Sequence, residues 1–325
     1  MDDSAYLTAK RTVDDRALNR RVLDRFAGAL TDYSGSDDRQ EDAVRILEVG
    51  AGTGTMVAHL AEWDILPART SYRLVDRERA HVERAFQRVP AWLEAAGYRV
   101  ELLDQSHDDT LGRLHADTED TTLSVSFEVA DVFDIGKAER SEVDAIIACA
   151  FFDLVDLPAG AVALFERLCE GGLLYAPITF DGVTGFVPAH PLDEQIEYWY
   201  HRHMELRDQP GDPNAGRTVL ESITETDGDL LAVGGSDWLV RPVDGVYPHD
   251  ERLVLDSLLS TITESVAAVT SGEPGPEFSA NHAGSEALDT GELEQWASLR
   301  REQLDSGQLL FLAHNLDVLA VSPTK

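Results

Sequence analysis

The segment Ile46-Leu47-Glu48-Val49-Gly50-Ala51-Gly52-Thr53-Gly54-Thr55 constrains this chain more than any other. An apolar run enters a turn spelled Gly-x-Gly-x-Gly, and a second apolar stretch, Met56 to Leu60, leaves it. That pattern predicts a buried parallel strand, a tight loop and the start of a helix. Glycines in such a loop let the backbone pass beneath a ligand with no Cβ in the way. The helix start offers free N–H groups to a polar or anionic ligand. Spacing bears on which ligand. A dinucleotide fingerprint places its third glycine three residues after the second, at position 55, and that residue is Thr55.

Further strand-end signals follow in order. Strand-like Tyr72-Arg73-Leu74-Val75 ends at Asp76, 24 residues after Gly52, where an acceptor for ribose hydroxyls belongs. Val125–Val129 runs into Ala130-Asp131-Val132-Phe133, a fourth apolar run, Asp144 to Cys149, leads to Phe151-Phe152-Asp153, and Leu173–Pro177 follows Gly171-Gly172. With Glu48 included, the loop reads E-x-G-x-G-x-G. Together these motifs resemble class I S-adenosylmethionine (SAM) dependent methyltransferases, over residues 40–180. The resemblance implies SAM as cofactor. It implies a binding set of Glu48, Gly50, Ala51, Gly52, Thr53, Gly54, Asp76, Arg77, Asp131, Val132, Cys149 and Phe151, with Asp131 accepting from the adenine amino group.

Plainer readings stand beside these. Asp76 also suits the N-cap of a helix starting at Glu78. Asp131 also reads as an ordinary strand-end carboxylate, and Arg77 as a solvated side chain. The N-terminal segment Tyr6–Arg20 looks like the leader of methyltransferases of this size, which implies that Tyr6, Lys10, Arg16 and Asn19 touch cofactor or substrate; a solvated helix face is the alternative.

The expected fold is α/β: a doubly wound, Rossmann-like, seven-stranded sheet with an antiparallel last strand and a cap insertion after strand five. The expected parts are an N-terminal helical lid (1–40), a SAM-binding core (41–177), a cap or substrate insertion (178–235) and the remainder of the core with additional helices (236–325). Helices are expected over 13–31, 78–96, 159–168, 250–269 and 289–305. A sixth strand is expected at 236–240, a last strand at 309–321 and a solvated excursion at 104–121. The segment 178–207 is too long and too aromatic for an ordinary connection and is expected to close over the cofactor.

Methyl transfer is an in-line displacement, so the enzyme must align nucleophile and methyl and exclude water. An acceptor protonated at neutral pH needs a base, commonly histidine. The candidates are His201 and Tyr200, then His190 and the last-strand His314, with His203 and Asp181 nearby; each histidine taken singly reads first as structural. No Asn/Asp-Pro-Pro-Tyr follows strand four, no Pro-Cys nucleophile pair is present, and no metal-ligand spacing is found. These absences narrow the reaction, and the aromatic cap at 186–206 suggests an enclosed pocket that suits a small-molecule acceptor methylated on oxygen, nitrogen or an activated carbon. A non-catalytic SAM-binding module and a tRNA or protein methyltransferase are the alternatives.

Charge speaks to solvent more than to ligand. The formal net charge is −33, from 60 acidic and 27 basic residues, and only Lys10, Lys137 and Lys325 are lysines. Self-repulsion of that size is screened at molar salt, where the Debye length falls to about 3 Å. Dispersed acids with scarce lysine resemble proteins of salt-in halophiles such as haloarchaea; an acidic face for a basic partner is the other reading. Nucleic acid, which needs a basic face, is disfavoured. The acidic N-terminus lacks the apolar core of a signal peptide, no stretch of 18 apolar residues suggests a membrane span, and a cytoplasmic location is expected. Cys149 and Cys169, both in apolar contexts, are expected to be buried free thiols.

Overall fold

Helices and strands alternate along most of the chain in the computed structural model, which describes residues 3–35, 42–103, 110–134, 143–207, 211–270 and 288–324. The order is α1 (Asp3–Ala9), α2 (Arg11–Ala17), α3 (Arg20–Ser34), β1 (Val44–Val49), α4 (Thr55–Glu62), β2 (Arg69–Asp76), α5 (Arg79–Ala95), β3 (Arg99–Leu103), β4 (Thr110–Asp117), β5 (Thr122–Val129) and β6 (Val143–Ile147). A 3₁₀ turn, Phe152–Leu154, precedes α6 (Ala159–Phe165) and β7 (Leu168–Val187). Then come α7 (Asp193–Leu206), α8 (Ala215–Glu225), β8 (Asp229–Gly235), β9 (Trp238–Val240), α9 (Glu251–Thr270), α10 (Thr290–Asp305) and β10 (Leu310–Val321).

The strands form one mixed sheet in the order β3-β4-β5-β2-β1-β6-β7-β10-β8, with β9 also on β10. From β5 to β7 every neighbour is parallel. β1 and β6 are buried almost throughout, as unbroken apolar runs in a sheet covered on both faces should be. Alternation along β1 then sorts its side chains: Val44 and Ile46 enter a core with α3, α4 and α5, while Leu47 and Val49 enter one with α6 and α8. Strand order reverses between β1 and β6, which opens a crevice at their carboxyl ends.

A third core lies beyond the sheet. β7 does not stop at Pro177 but pairs with β10 as far as Val187↔Leu310. The register shift between Leu316 and Val318 places Pro177 and Ile178 in a bulge, where the missing proline N–H breaks no ladder bond. Asp317, opposite the bulge, accepts from Ile178 N at 2.8 Å and from Asn19 N at 2.8 Å. On the prolonged ribbon, α1, α2, α7, α9 and α10 pack around Phe186, Trp199, Trp296 and Phe311. Burying such side chains is worth roughly 1.5–3 kcal/mol each.

The details correct several expectations. The sheet has ten strands among the described residues, because β3 and β4 add a hairpin at one edge. Residues 110–117 were expected to be solvated, yet Leu114 and Ala116 alternate into the core; residues 104–109 lie outside the described residues. The strand expected at 236–240 is shortened to β9, and an additional, unanticipated strand, β8, precedes it; both pair with β10. The expected cap boundaries are also redrawn by packing. α8 belongs to a sheet core, through Ala215, Val219 and Ile223, whereas α9 and α10 join α7. α9 is long and apolar enough to cross a membrane by length and composition, but Val254, Leu255, Leu259, Ile262 and Val266 are buried in the third core.

Candidate functional site

The crevice holds a cavity of about 610 Å³, within the range of small-ligand sites. Its floor is the loop between β1 and α4. Gly50, Gly52 and Gly54 have φ of +60°, +54° and +75°, which side chains rarely adopt. A Cβ on Gly50 would stand 2.5 Å from the Phe151 ring, and one on Gly54 2.7 Å from Val89. Gly52 instead lines the cavity, and a Cβ there would meet only the Leu7 side chain, at an ordinary 3.5 Å. The first and third glycines therefore serve close packing, and the second leaves room for a ligand.

Asp76 ends β2 beside this loop. Its Oδ2 accepts from Gly52 N at 2.8 Å and its Oδ1 from Glu78 N at 2.8 Å, with His81 Nδ1 at 3.3 Å. Thus it both fixes the loop and shapes the start of α5. Oδ2, with one donor, keeps a further lone pair for a ligand hydroxyl. Asp131, past β5, holds the next turn through Phe133 N at 2.9 Å and also lines the cavity. Glu48 is buried at the end of β1 and accepts from the Tyr72 hydroxyl at 2.7 Å. Burial pushes its carboxyl up to about 8, with Asp76 adding and Tyr72 opposing, so Glu48 is largely protonated at neutral pH. Burial likewise raises the Cys149 thiol far above its ordinary value, which makes it no nucleophile; neither cysteine is in a disulfide.

Of the expected binding set only Gly54, turned into the packing, does not line the cavity; Glu48, Gly50, Ala51, Gly52, Thr53, Asp76, Arg77, Asp131, Val132, Cys149 and Phe151 all do. From the N-terminal segment, Lys10 lines it too. Arg16 instead pairs with buried Glu251 at 2.7 Å, and Asn19 caps α3 and donates to Gly235 O. Leu7, Asp14, His81 and Gly160 also line the cavity and were not anticipated. Leu7 lies on α1 and Asp14 on α2, with Lys10 between them, so no single helix face in the sequence announced the set.

The proposed catalytic residues are less well placed. His201 is not among the cavity-lining residues. β7 continues to Val187, and α7, which starts at Asp193 as expected, packs His201 against it, with Nε2 3.1 Å from Thr184 Oγ1 and its ring edge-on to Phe180. Burial lowers its pKa to about 4, so the imidazole is neutral and weakly basic. His190 accepts from Leu192 N through Nδ1 and builds the turn into α7. His314 sits 2.7 Å from Asp237 on the partly exposed side of β10. Asp181 is buried against Arg217 at 3.0 Å and anchors α8. Tyr200 does not line the cavity either; burial pushes its phenol up to about 12, and Asp153, in the 3₁₀ turn beside Phe151, adds to the shift. His203 lines a second cavity of about 870 Å³ that shares Arg77 and Leu154 with the first.

No family model and no curated protein matches the chain. Among solved structures, a Bacillus halodurans C-125 protein provisionally assigned as a methyltransferase aligns over 92% of this chain and 99% of its own, at 10% identity and TM-score 0.45. A SAM-dependent methyltransferase from Thiobacillus denitrificans, in complex with S-adenosyl-L-homocysteine (SAH), aligns over 93% and 92%, at 13% identity and TM-score 0.35. Haemonchus contortus phosphoethanolamine N-methyltransferase 2, in complex with SAM, aligns over 92% of this chain and 52% of its own, at 13% identity and TM-score 0.37.

Proposed function

We propose that this chain is a SAM-dependent methyltransferase that binds its cofactor in the cavity at the carboxyl ends of β1, β2, β5 and β6. The observation that carries the reading is the convergence of an unobstructed Gly52, the Asp76 carboxylate and the Asp131 turn on one cavity at the switch point. Gly52 lacks the Cβ that would intrude, so the residues present fit an adenosyl ligand. Asp76 would take the ribose hydroxyls and Asp131 the adenine amino group. Bound there, SAM would supply an activated methyl on its sulfonium.

The chain's own residues then do the orienting. Phe151, packed on Gly50, and Leu7 of α1 wall the cavity and exclude water. The acceptor approaches past the Phe151–Asp153 turn, with Tyr200 nearby and His203 in the adjoining cavity. This enclosed route suits a small molecule methylated on oxygen, nitrogen or an activated carbon. The dispersed acid excess fits folding in molar salt, so assays belong in molar KCl.

The test is transfer of tritiated methyl from SAM into separated small-molecule, RNA and protein fractions of source-cell extract. The expected label is in the small-molecule fraction. Label confined to RNA or protein would reassign the acceptor, and none in any fraction, with SAM bound, would indicate a non-catalytic module.

A further inference from the structure

Lys10 and Asp14, four residues apart at the start of α2, line the cavity as an ion pair, Nζ to Oδ2 at 3.1 Å. The pair is incomplete. Asp14 Oδ1 is buried and has no hydrogen-bond partner among the described residues. An ammonium carries three N–H donors, and Asp14 is the acceptor of one of them; the Trp238 ring lies 5.6 Å from Nζ. Burial works to lower the Lys10 ammonium, but Asp14 outweighs it and holds Lys10 charged.

Taking an ion pair out of water is costly, and a dry acceptor without a donor adds to that cost. At a cavity wall such an arrangement suits a ligand that completes it. The complement is a cationic donor for Oδ1 and an anionic acceptor for Nζ, held close together. An α-amino acid end has both, on one carbon.

We infer that the Lys10–Asp14 pair reads the zwitterionic amino-acid end of the ligand, Lys10 receiving its carboxylate and Asp14 its ammonium. The inference rests on the SAM reading, since the methionine moiety of SAM carries such an end, and it makes the N-terminal strap a specificity element. The strap is placed to do this. Arg11 donates to His59 Nε2 on α4 at 2.9 Å, and Arg88 on α5 donates to Thr8 at 2.6 Å, which ties α1 and α2 across the glycine loop.

Two probes separate the ends of the ligand: SAH has the amino-acid end, and 5′-methylthioadenosine has the same nucleoside without it. Calorimetry on the full chain in molar KCl should show the parent favouring SAH. Lys10→Met and Asp14→Asn should each weaken SAH ~10–100-fold while methylthioadenosine affinity holds, the range expected for one charged hydrogen bond. Retained methylthioadenosine binding also reports that the variants are folded. Variants that lose both probes alike, or neither, overturn this inference alone. A parent that binds neither probe overturns the SAM reading and the inference with it.

Discussion

The crevice at the end of the sheet and the helical layer on the β7–β10 ribbon are built on opposite rules. The crevice is floored by backbone, with positive-φ glycines and strand-end carboxylates, and side chains such as Leu7 and Phe151 stand around it as walls. The helical layer is made of large side chains locked around buried charge. There Arg300, fully buried, grips Asp193 at 2.5 and 2.7 Å, Trp296 Nε1 donates to the same carboxylate at 2.9 Å, and the Arg300 guanidinium lies 5.2 Å from the Phe186 ring. Space is left where a ligand must enter and removed where the scaffold must hold. Stability and binding should therefore be separable by mutation.

The largest expected effect is in the helical layer. Asp193→Ala leaves the Arg300 charge buried without its carboxylate, which should cost ~3–5 kcal/mol. Denaturant melts would read this, while the SAH affinity of the folded fraction stays put. An unchanged midpoint would show that the layer does not depend on the pair.

The crevice should show the next effect, through pH. Glu48 has a folded pKa of about 8, above its ordinary value of 4.5. Above the lower value the unfolded chain ionises and the folded one does not, so stability falls with rising pH by ~1.4 kcal/mol per unit until the folded pKa is passed. Glu48→Gln removes this dependence. Its thermal midpoint should exceed the parent's at pH 8 and match it near pH 4. Parallel pH profiles for the two proteins would contradict the burial argument.

The smallest expected effect separates two histidines of α7. His201→Ala removes packing at the β7 face and should cost about 1 kcal/mol without moving SAH affinity. His203→Ala touches the second cavity and should alter turnover once an acceptor is known. If His201→Ala instead abolishes turnover in a folded protein, the separation of layer from crevice fails.

Legibility follows the same division. The strand–loop–helix unit around Gly50–Gly54 was readable because a local steric requirement writes itself into residue identity. Asp76 and Asp131 were readable from their place after apolar runs. Lys10 emerged from resemblance, but Asp14 did not, because which face of α2 meets the cavity depends on how the strap crosses the sheet. β7 was misjudged at Pro177, a residue that usually ends a strand; the bulge opposite Asp317 that accommodates it is a pairing property, visible only with β10 in place. His201 and His190 were drawn toward the site by that same early ending. The hairpin strand at 110–117 was hidden by Arg113, His115 and Asp117, polar residues that alternate with the side chains entering the core.

The central claim is that the crevice is a SAM site and not a dinucleotide site. Titration calorimetry of the full chain with SAM, SAH and NAD in molar KCl tests it most directly, alongside Gly52→Val, which places a branched side chain at φ +54° in the cavity floor. The account predicts binding of SAM and SAH, none of NAD, and loss of both ligands in a variant that still melts cooperatively. Binding of NAD without SAM, or full SAM affinity in Gly52→Val, would contradict it.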